Sequence, residues 1–107
     1  MKVKEKGHTI VITKTNETVA DFLEKITNEY NQFKEKNLII DLPNEHSIDI
    51  QYFESLNEKH RTNKKSFVLV LESIDLDNWD DEIIVVPTLQ EAHDIIEMEE
   101  IERDLGF

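Results

Sequence analysis

The sequence predicts a single α/β domain over residues 1–107. Its core is a four- to five-stranded, mostly parallel mixed sheet that starts in an N-terminal hairpin and is packed by three to four helices. Three observations predict this fold class. The length fits one domain. Apolar runs typical of buried strands alternate with segments whose apolar residues recur at helical spacing. No internal repeat or low-complexity linker interrupts that alternation.

The first two strands are predicted to form the hairpin. "KVKE" and "HTIVITKT" flank a turn at Lys6-Gly7, where glycine can take the positive φ that such a turn needs. Thr18 and Asp21 then have the spacing of a helix N-terminus, in which a threonine hydroxyl caps a backbone N–H. The apolar residues that follow predict one face of a single helix: Val19, Phe22, Leu23, Ile26, Tyr30 and Phe33.

Three further strands are predicted from dense apolar runs, "LIIDL" (38–42), "SFVLVL" (66–71) and "EIIVV" (82–86). A second helix starts at Asp49, and its inward positions are Ile50, Phe53, Leu56 and His60. Strands that alternate with helices indicate a largely parallel sheet, because each crossover helix returns the chain to the same edge.

The last helix is predicted to start at Thr88, directly after Pro87 stops the preceding strand. Thr88 and Glu91 have the spacing of a capping box. The residues expected to line this helix against the core are Leu89, Ala92, Ile96 and Leu105.

The charge of the chain is strongly asymmetric. Residues 1–66 carry 11 basic and 11 acidic residues, whereas residues 67–107 carry Arg103 against 13 acidic residues. The net charge of −12 therefore belongs to the last part of the chain. Such a surface repels phosphate backbones, so we expect no nucleic-acid binding. The acidic last helix is interpreted either as a solvated face or as a docking surface for a basic protein partner.

The sequence offers no catalytic or metal-binding constellation, and we expect neither an enzyme nor a bound cofactor. The four histidines lie on different elements and lack the i, i+4 pair of a zinc helix. The chain has no cysteine and hence no thiolate ligand or nucleophile. His60 continues the apolar stripe of the second helix, which favours a partly buried structural role over a ligand role.

Two further segments were considered for function. "DLDNWDDE" (75–82) does not fit a calcium loop, because Trp79 and Asp80 stand where an oxygen ligand and a glycine are needed. We expect the side chain of Trp79 to be buried and to anchor this loop to the core, rather than to be exposed for binding a partner. "MKVKEKGHTIVITKT" lacks an apolar run long enough for a signal peptide or a membrane span, so we expect a cytoplasmic protein.

The strand "NLIIDL", the junction "SIDIQYFESL", the helix "ETVADFLEKI" and the closing "VVPTLQEAHDII" together resemble the STAS domain. That is the fold of bacterial anti-sigma factor antagonists and of sulfate transporter tails. The family's signature is an Asp-Ser-Ser/Thr-Gly run, which starts the second helix about eight residues after a polar residue on the preceding strand. Asp41 precedes Asp49 by eight residues, so Asp49 matches the family's aspartate. Ile50 then stands at the position of the phosphorylated serine.

The resemblance implies a non-enzymatic regulatory module that binds a protein, such as an anti-sigma-type kinase or another basic-surfaced regulator. In the antagonists, a phosphoryl group at this helix N-terminus adds nearly two negative charges where the kinase docks. Ile50 has no hydroxyl, so the usual switch is missing. The partner-binding residues implied are Asn44, His46, Asp49, Ile50, Gln51 and Tyr52. The alternative is a STAS-like domain that binds a small ligand, a nucleotide or a lipid.

Overall fold

A computed structural model describes residues 1–45, 48–72 and 82–106 of the chain. The described residues form a five-stranded sheet and three α-helices. The strands are β1 (Lys2–Lys6), β2 (Thr9–Thr13), β3 (Asn37–Asp41), β4 (Phe67–Val70) and β5 (Ile84–Val86), and the helices are α1 (Val19–Asn28), α2 (Glu54–Thr62) and α3 (Leu89–Asp104). This arrangement confirms the predicted α/β class. The interpretation of Trp79 falls outside the described residues.

The sheet keeps its strands in chain order, β1-β2-β3-β4-β5. β1 and β2 are antiparallel, and Gly7 in the turn between them has a φ of 59°. β2, β3, β4 and β5 are parallel to one another, which confirms the mostly parallel mixed sheet with its hairpin. Each parallel step needs a crossover, and right-handed crossovers between strands that advance in one direction all lie on one face of the sheet.

The two faces of the sheet are therefore covered by different elements. α1 and α2 pack on one face, together with two 3₁₀ turns, Tyr30–Gln32 and Ile50–Phe53. On the other face α3 packs on β3, β4 and β5, where Ala92 and Ile96 lie against Ile39. We call these two sides the α1/α2 face and the α3 face.

The helix starts agree with the sequence prediction. The Oγ1 of Thr18 accepts from the backbone N–H of Asp21 at 3.1 Å, and the Oγ1 of Thr88 accepts from that of Glu91 at 3.2 Å. Both hydroxyls satisfy N–H groups that the first turn of a helix leaves without a partner. In the part of the chain that the structure describes, no helix has both the length and the apolar character needed to cross a membrane.

The first helix is shorter than predicted. α1 ends at Asn28, and Tyr30 and Phe33 belong to a separate 3₁₀ turn and its cap. Both aromatic side chains are nevertheless buried in the core. The apolar spacing continues across the break because residues three apart lie on nearly the same side in a 3₁₀ turn and in an α-helix.

The prediction that Leu89 and Leu105 line α3 against the core is wrong, since both side chains are exposed. Leu105 lies nine residues beyond the buried Ile96, a spacing that is half a turn out of phase at 3.6 residues per turn. Leu89 is the first residue of α3 and lies beside Pro87 at the end of the sheet. The core side of α3 therefore consists of Ala92 and Ile96 with Ile95 partly buried beside them.

His60 is fully buried and has the structural role that the sequence favours. Its Nε2 lies 2.7 Å from the backbone oxygen of Lys36, and its Nδ1 lies 2.8 Å from the hydroxyl oxygen of Tyr30. Because a carbonyl oxygen only accepts, the Nε2–H donates to Lys36, and in the neutral ring Nδ1 accepts from Tyr30. Burial lowers the pKa of His60 from 6.5 to about 4, since a buried imidazolium loses its hydration.

We expect His60 to make the protein less stable in acid. Between pH 6.5 and about 4, the unfolded chain binds a proton on His60 that the folded chain does not bind, so the free energy of unfolding falls as the pH falls. The loss attributable to this residue is about 3 kcal/mol once the pH lies below the folded-state pKa. Urea unfolding at a series of pH values measures the slope, which should become shallower in His60→Gln.

His8 is exposed and provides the matched control. His8→Gln removes an exposed histidine and leaves the buried His60 in place. The free energy of unfolding should therefore depend on pH as steeply as in the unmodified chain. If His60→Gln and His8→Gln show the same slope, the buried ring is not the cause of the acid sensitivity.

Candidate functional site

The candidate site lies at the carboxyl edge of the parallel strands, where the chain leaves β3 and enters the 3₁₀ turn. Binding residues are often carried by loops that a rigid sheet positions, as at this edge. β3 ends at Asp41, and the N–H of Leu42 still donates to a β4 carbonyl at 3.0 Å, which fixes the exit from the strand. Asn44 then takes a left-handed φ of 66°, a conformation that asparagine tolerates better than most residues. We call residues 48–53, which follow this turn, the corner.

Asp49 caps the start of the 3₁₀ turn. Its Oδ1 accepts from the backbone N–H of Gln51 at 3.0 Å, and its own backbone is extended, with φ −85° and ψ 109°. Aspartate is favoured at such a position because it satisfies a free N–H and because negative charge is stabilised at a helix N-terminus. The residue is also partly exposed. Its carboxylate thus fixes the corner and remains accessible from solvent.

The corner divides its residues between the core and the surface. Ile48, Ile50 and Phe53 are buried, and Ile50 is 0% exposed. Gln51 is exposed, and Tyr52 is 62% exposed. Ile50 was predicted to bind a partner, but its side chain is buried and anchors the turn in the core. It is therefore not available for contact with a partner.

The other predicted site residues are at the surface. Asn44, Gln51 and Tyr52 are exposed, and Asp49 is partly exposed. His46 lies outside the described residues. The sequence prediction therefore located the corner correctly in the fold, but it did not separate the residue that anchors the corner from those that face solvent.

Tyr52 borders an apolar groove that the sequence analysis did not predict. The groove has a volume of about 600 Å³ and lies between α1 and the corner. A hollow of about 230 Å³ adjoins it, shares Leu23, Thr27 and Tyr52 with it, and extends it towards α2. We call the two together the Tyr52 groove. α1 contributes Val19, Ala20, Leu23 and Thr27 to its lining, and α2 contributes Ser55 and Lys59.

The groove was missed because it forms between two elements that are distant in the sequence. Leu23 was assigned to the core stripe of the first helix, whereas it is only partly buried and borders the groove. A signal was nevertheless present, since Ala20, Leu23 and Thr27 give α1 a row of uncharged residues at steps of three and four. Such a row beside the core stripe indicates a helix with two apolar neighbours.

Charged groups of both signs border the apolar lining. The Nζ of Lys59 lies 4.6 Å from the centroid of the Tyr30 ring, within the range of a cation–π interaction. Glu24 lines the groove from α1. The floor between them is formed by Val19, Ala20 and Leu23. The groove can therefore bury an apolar side chain, and it offers polar contacts at its border.

A smaller hollow of about 230 Å³ lies at the same edge of the sheet, between Asp41 and the start of α3. Burial raises the pKa of Asp41 above its ordinary value. The Oγ1 of Thr13, which lies on the neighbouring strand, donates to Asp41 at 3.3 Å and partly opposes that effect. Asp41 is thus a partly desolvated carboxylate at the end of β3.

The amino edge of the strands carries a polar cluster centred on Asn37. The Nδ2 of Asn37 donates to Glu100 at 2.7 Å, and its Oδ1 accepts from the Ser66 N–H at 2.9 Å and from Arg103 at 3.3 Å. Asn37 is almost completely buried. Because its donor and acceptor atoms are both paired within the fold, this cluster joins β3, β4 and α3 and is structural.

We expect Asp41→Asn to raise the free energy of unfolding at pH 7 by up to about 1 kcal/mol, because it removes a partly buried charge and keeps an oxygen for Thr13. Because the pKa of Asp41 is raised, the folded chain binds the carboxyl proton more tightly than the unfolded chain does. The ionised carboxylate therefore destabilises the fold at neutral pH, and this destabilisation disappears in acid, where Asp41 is protonated. Urea unfolding at pH 7 and in acid measures the difference. Glu35→Gln, at an exposed site, controls for net charge; a loss of stability in Asp41→Asn at pH 7 would contradict the assignment.

Comparison with known proteins adds no family assignment. No family model, no curated protein and no solved structure matches this chain. Among the described residues, no group of three or more His, Asp or Glu side chains is placed to hold a metal ion. The resemblance to the STAS domain therefore depends on the sequence features quoted above, and the site is defined by its own geometry.

Proposed function

We propose that this chain is a non-enzymatic, cytoplasmic regulatory module of the STAS type, which binds a protein partner through the corner and the Tyr52 groove. The observation that carries the proposal is the exposure of Tyr52 beside an apolar groove, at the junction that the STAS resemblance singles out. Tyrosine is enriched at the centres of protein interfaces, because its ring buries a large area and its hydroxyl still finds a hydrogen-bond partner.

The partner that fits this surface carries an apolar side chain for the groove and basic residues around it. Val19, Ala20 and Leu23 supply an apolar floor. Asp49 and Glu24 contribute carboxylates at the border, and the whole chain has a net charge of −12. Opposite charge on the partner speeds the encounter and selects against other acidic proteins. An anti-sigma-type kinase or another basic-surfaced regulator is the class of partner proposed.

Ile50 gives the proposal a regulatory consequence. The residue stands where the antagonists carry their phosphorylated serine, and it has neither a hydroxyl nor an exposed side chain. Partner binding at the corner then depends on how much partner is present and not on phosphorylation of residue 50. A phosphate on Ser47 after incubation with an anti-sigma-type kinase and ATP would contradict the alignment.

A small ligand is the second candidate occupant of the Tyr52 groove. The groove volume of about 600 Å³ lies in the range of small-molecule sites, and its lining is mainly apolar. A lipid chain fits this apolar lining. A nucleotide phosphate fits it less well, because Lys59 is the one basic residue among the described lining residues. Thermal-shift measurements with ATP, GTP and oleate separate the candidates, since a ligand that binds the folded chain raises the melting temperature.

We expect Tyr52→Ala to weaken partner binding by at least about tenfold, because truncation of a central aromatic anchor typically costs 2 kcal/mol or more. The melting temperature should change little, since the side chain is mostly exposed. Titration calorimetry with a purified anti-sigma-type kinase measures the affinity. Val3→Ala is the control, an exposed apolar residue on β1 that lies outside the lining of the groove. Equal binding by Tyr52→Ala and Val3→Ala would exclude the groove as the binding surface.

Asp49 has a cap role and a charge role, and two substitutions separate them. Asp49→Ala should lower the free energy of unfolding by about 1 kcal/mol, because the N–H of Gln51 loses its acceptor. Asp49→Asn keeps an acceptor oxygen and should leave stability within about 0.5 kcal/mol, while the loss of charge weakens the partner severalfold. Urea unfolding and calorimetry on the same samples measure both quantities. Undiminished binding by both variants would remove Asp49 from the interface.

A further inference from the structure

The described residues cover the α3 face only in part. α3 packs on β3, β4 and β5, and every residue of β1 is exposed. β2, β3 and β4 advance in chain order, so the crossovers through α1 and α2 belong to the opposite face. Thr9 and Val11 of β2 are buried, and Val11 packs in one cluster with Ala92 and Ile96. Among the described residues, the part of the α3 face above β1 is therefore the open surface beside α3.

Three lysines stand in a line on this open surface. Lys4 lies opposite Val11 in the β1–β2 register, and directly opposed residues of an antiparallel pair point to the same side of the sheet. Val11 belongs to the cluster that packs against α3, so Lys4 points to the α3 face. Side chains alternate along a strand, and Lys2 and Lys6 therefore point to the same face. We call Lys2, Lys4 and Lys6 the lysine row.

α3 also carries exposed apolar side chains on its outer side, of which Ile101 borders a hollow between α3 and the β1–β2 hairpin. Met98 is 58% exposed, Ile101 is 53% exposed and Leu105 is 67% exposed. Their spacing of three and four residues places them along one side of the helix, roughly opposite the buried Ile96. We call Met98, Ile101 and Leu105 the outer stripe. Three large apolar side chains in a row on one helix face mark a contact surface more than a solvated one.

Acidic residues flank the outer stripe. Asp94 precedes it by one turn, and Glu102 lies between its last two members in sequence; both are exposed. The outer side of α3 therefore combines an apolar centre with negative borders. The open surface beside it combines lysine ammonium groups with the aliphatic stems that carry them, and such stems cover apolar side chains well.

We propose that the α3 face is a dimerisation surface, on which each of two copies places the outer stripe of its α3 over the lysine row of the other copy. The outer stripe packs on the lysine stems, and the ammonium groups pair with Asp94 and Glu102 of the second copy. The two α3 helices then form one layer between the two sheets. The arrangement is isologous, so a two-fold axis makes both contacts at once and closes the assembly at two chains.

Charge complementarity selects a second copy over a foreign basic helix. A foreign helix of that kind would satisfy the acidic borders of α3 but would repel the lysine row beside them. A second copy supplies negative charge to the lysine row and positive charge to α3 in the same complex. This pairing is independent of the proposed function, because it uses the α3 face and leaves the corner and the Tyr52 groove free on the opposite face.

The experiment is a charge-reversal cross on the full chain, followed by sedimentation equilibrium from micromolar to millimolar protein in 0.15 M salt, where long-range repulsion is largely screened. The first variant is Lys2→Glu/Lys4→Glu, and the second is Asp94→Lys/Glu102→Lys. Each variant alone places like charges across both contacts and should weaken the dimer about tenfold or more. An equimolar mixture restores opposite charges at both contacts and should form a heterodimer within a fewfold of the unmodified affinity.

Lys34→Glu/Lys64→Glu is the matched control, with the same change in net charge next to the elements of the α1/α2 face, and it should dimerise like the unmodified chain. Circular dichroism melting verifies that each variant is folded. An unmodified chain that stays monomeric throughout the range overturns the proposal. A mixture of folded variants that does not associate also overturns it. A monomeric chain whose α3 binds a lysine-rich amphipathic peptide would assign the same surface to a foreign partner instead.

Discussion

The order of the strands is the constraint on which the rest of the structure depends. β2, β3, β4 and β5 run in the same direction and follow one another across the sheet in chain order. A right-handed crossover has no choice of face under these conditions, so α1 and α2 lie side by side. The Tyr52 groove exists because these two neighbours do not close completely over their common edge. On the opposite face, α3 packs mainly on β3, β4 and β5.

The two edges of the sheet have different tasks. At the amino edge, Asn37 and His60 are buried and fully engaged, and they connect the strands to α2, to α3 and to the turn that follows α1. A buried polar network of this kind stabilises one arrangement of the elements. Any shift from it raises the free energy, because a buried donor or acceptor is left unpaired. At the carboxyl edge, Asp49 and Tyr52 are at least partly exposed. The amino edge therefore secures the register of the fold, and the carboxyl edge can vary without loss of that register.

Much of the fold was predictable because its determinants are local. The threonine caps at Thr18 and Thr88 act within one turn of chain, and the strands are short apolar runs that a buried parallel sheet requires. The end of α1 was not predictable from periodicity, because a 3₁₀ turn preserves the spacing of Tyr30 and Phe33 while the helix itself has stopped. Leu105 was predicted to line the last helix with Ala92 and Ile96, although its phase relative to Ile96 places it on the outer side.

The candidate site was predictable as a position but not as a surface. The spacing of Asp41 and Asp49 located the corner, whereas the division between a buried Ile50 and an exposed Tyr52 depends on how the turn sits on the sheet. To predict the groove, one would need to know how two helices that are far apart in sequence pack together. To predict the lysine row, one would need the register of the hairpin. Patterns along one chain carry periodicity, but they do not carry the distances between elements that are not consecutive.

The position of α3 over β3, β4 and β5 also has a consequence during synthesis. The βαβ units are contiguous in the chain, so β2, β3 and β4 can assemble with α1 and α2 as they leave the ribosome. α3 is translated after all of them, and until it arrives the apolar side chains of Ile39 and Val68 lack their packing against Ala92 and Ile96. The nascent chain therefore passes through a stage in which one apolar face of the sheet is exposed. At that stage, binding by chaperones and misassembly compete with completion of the fold.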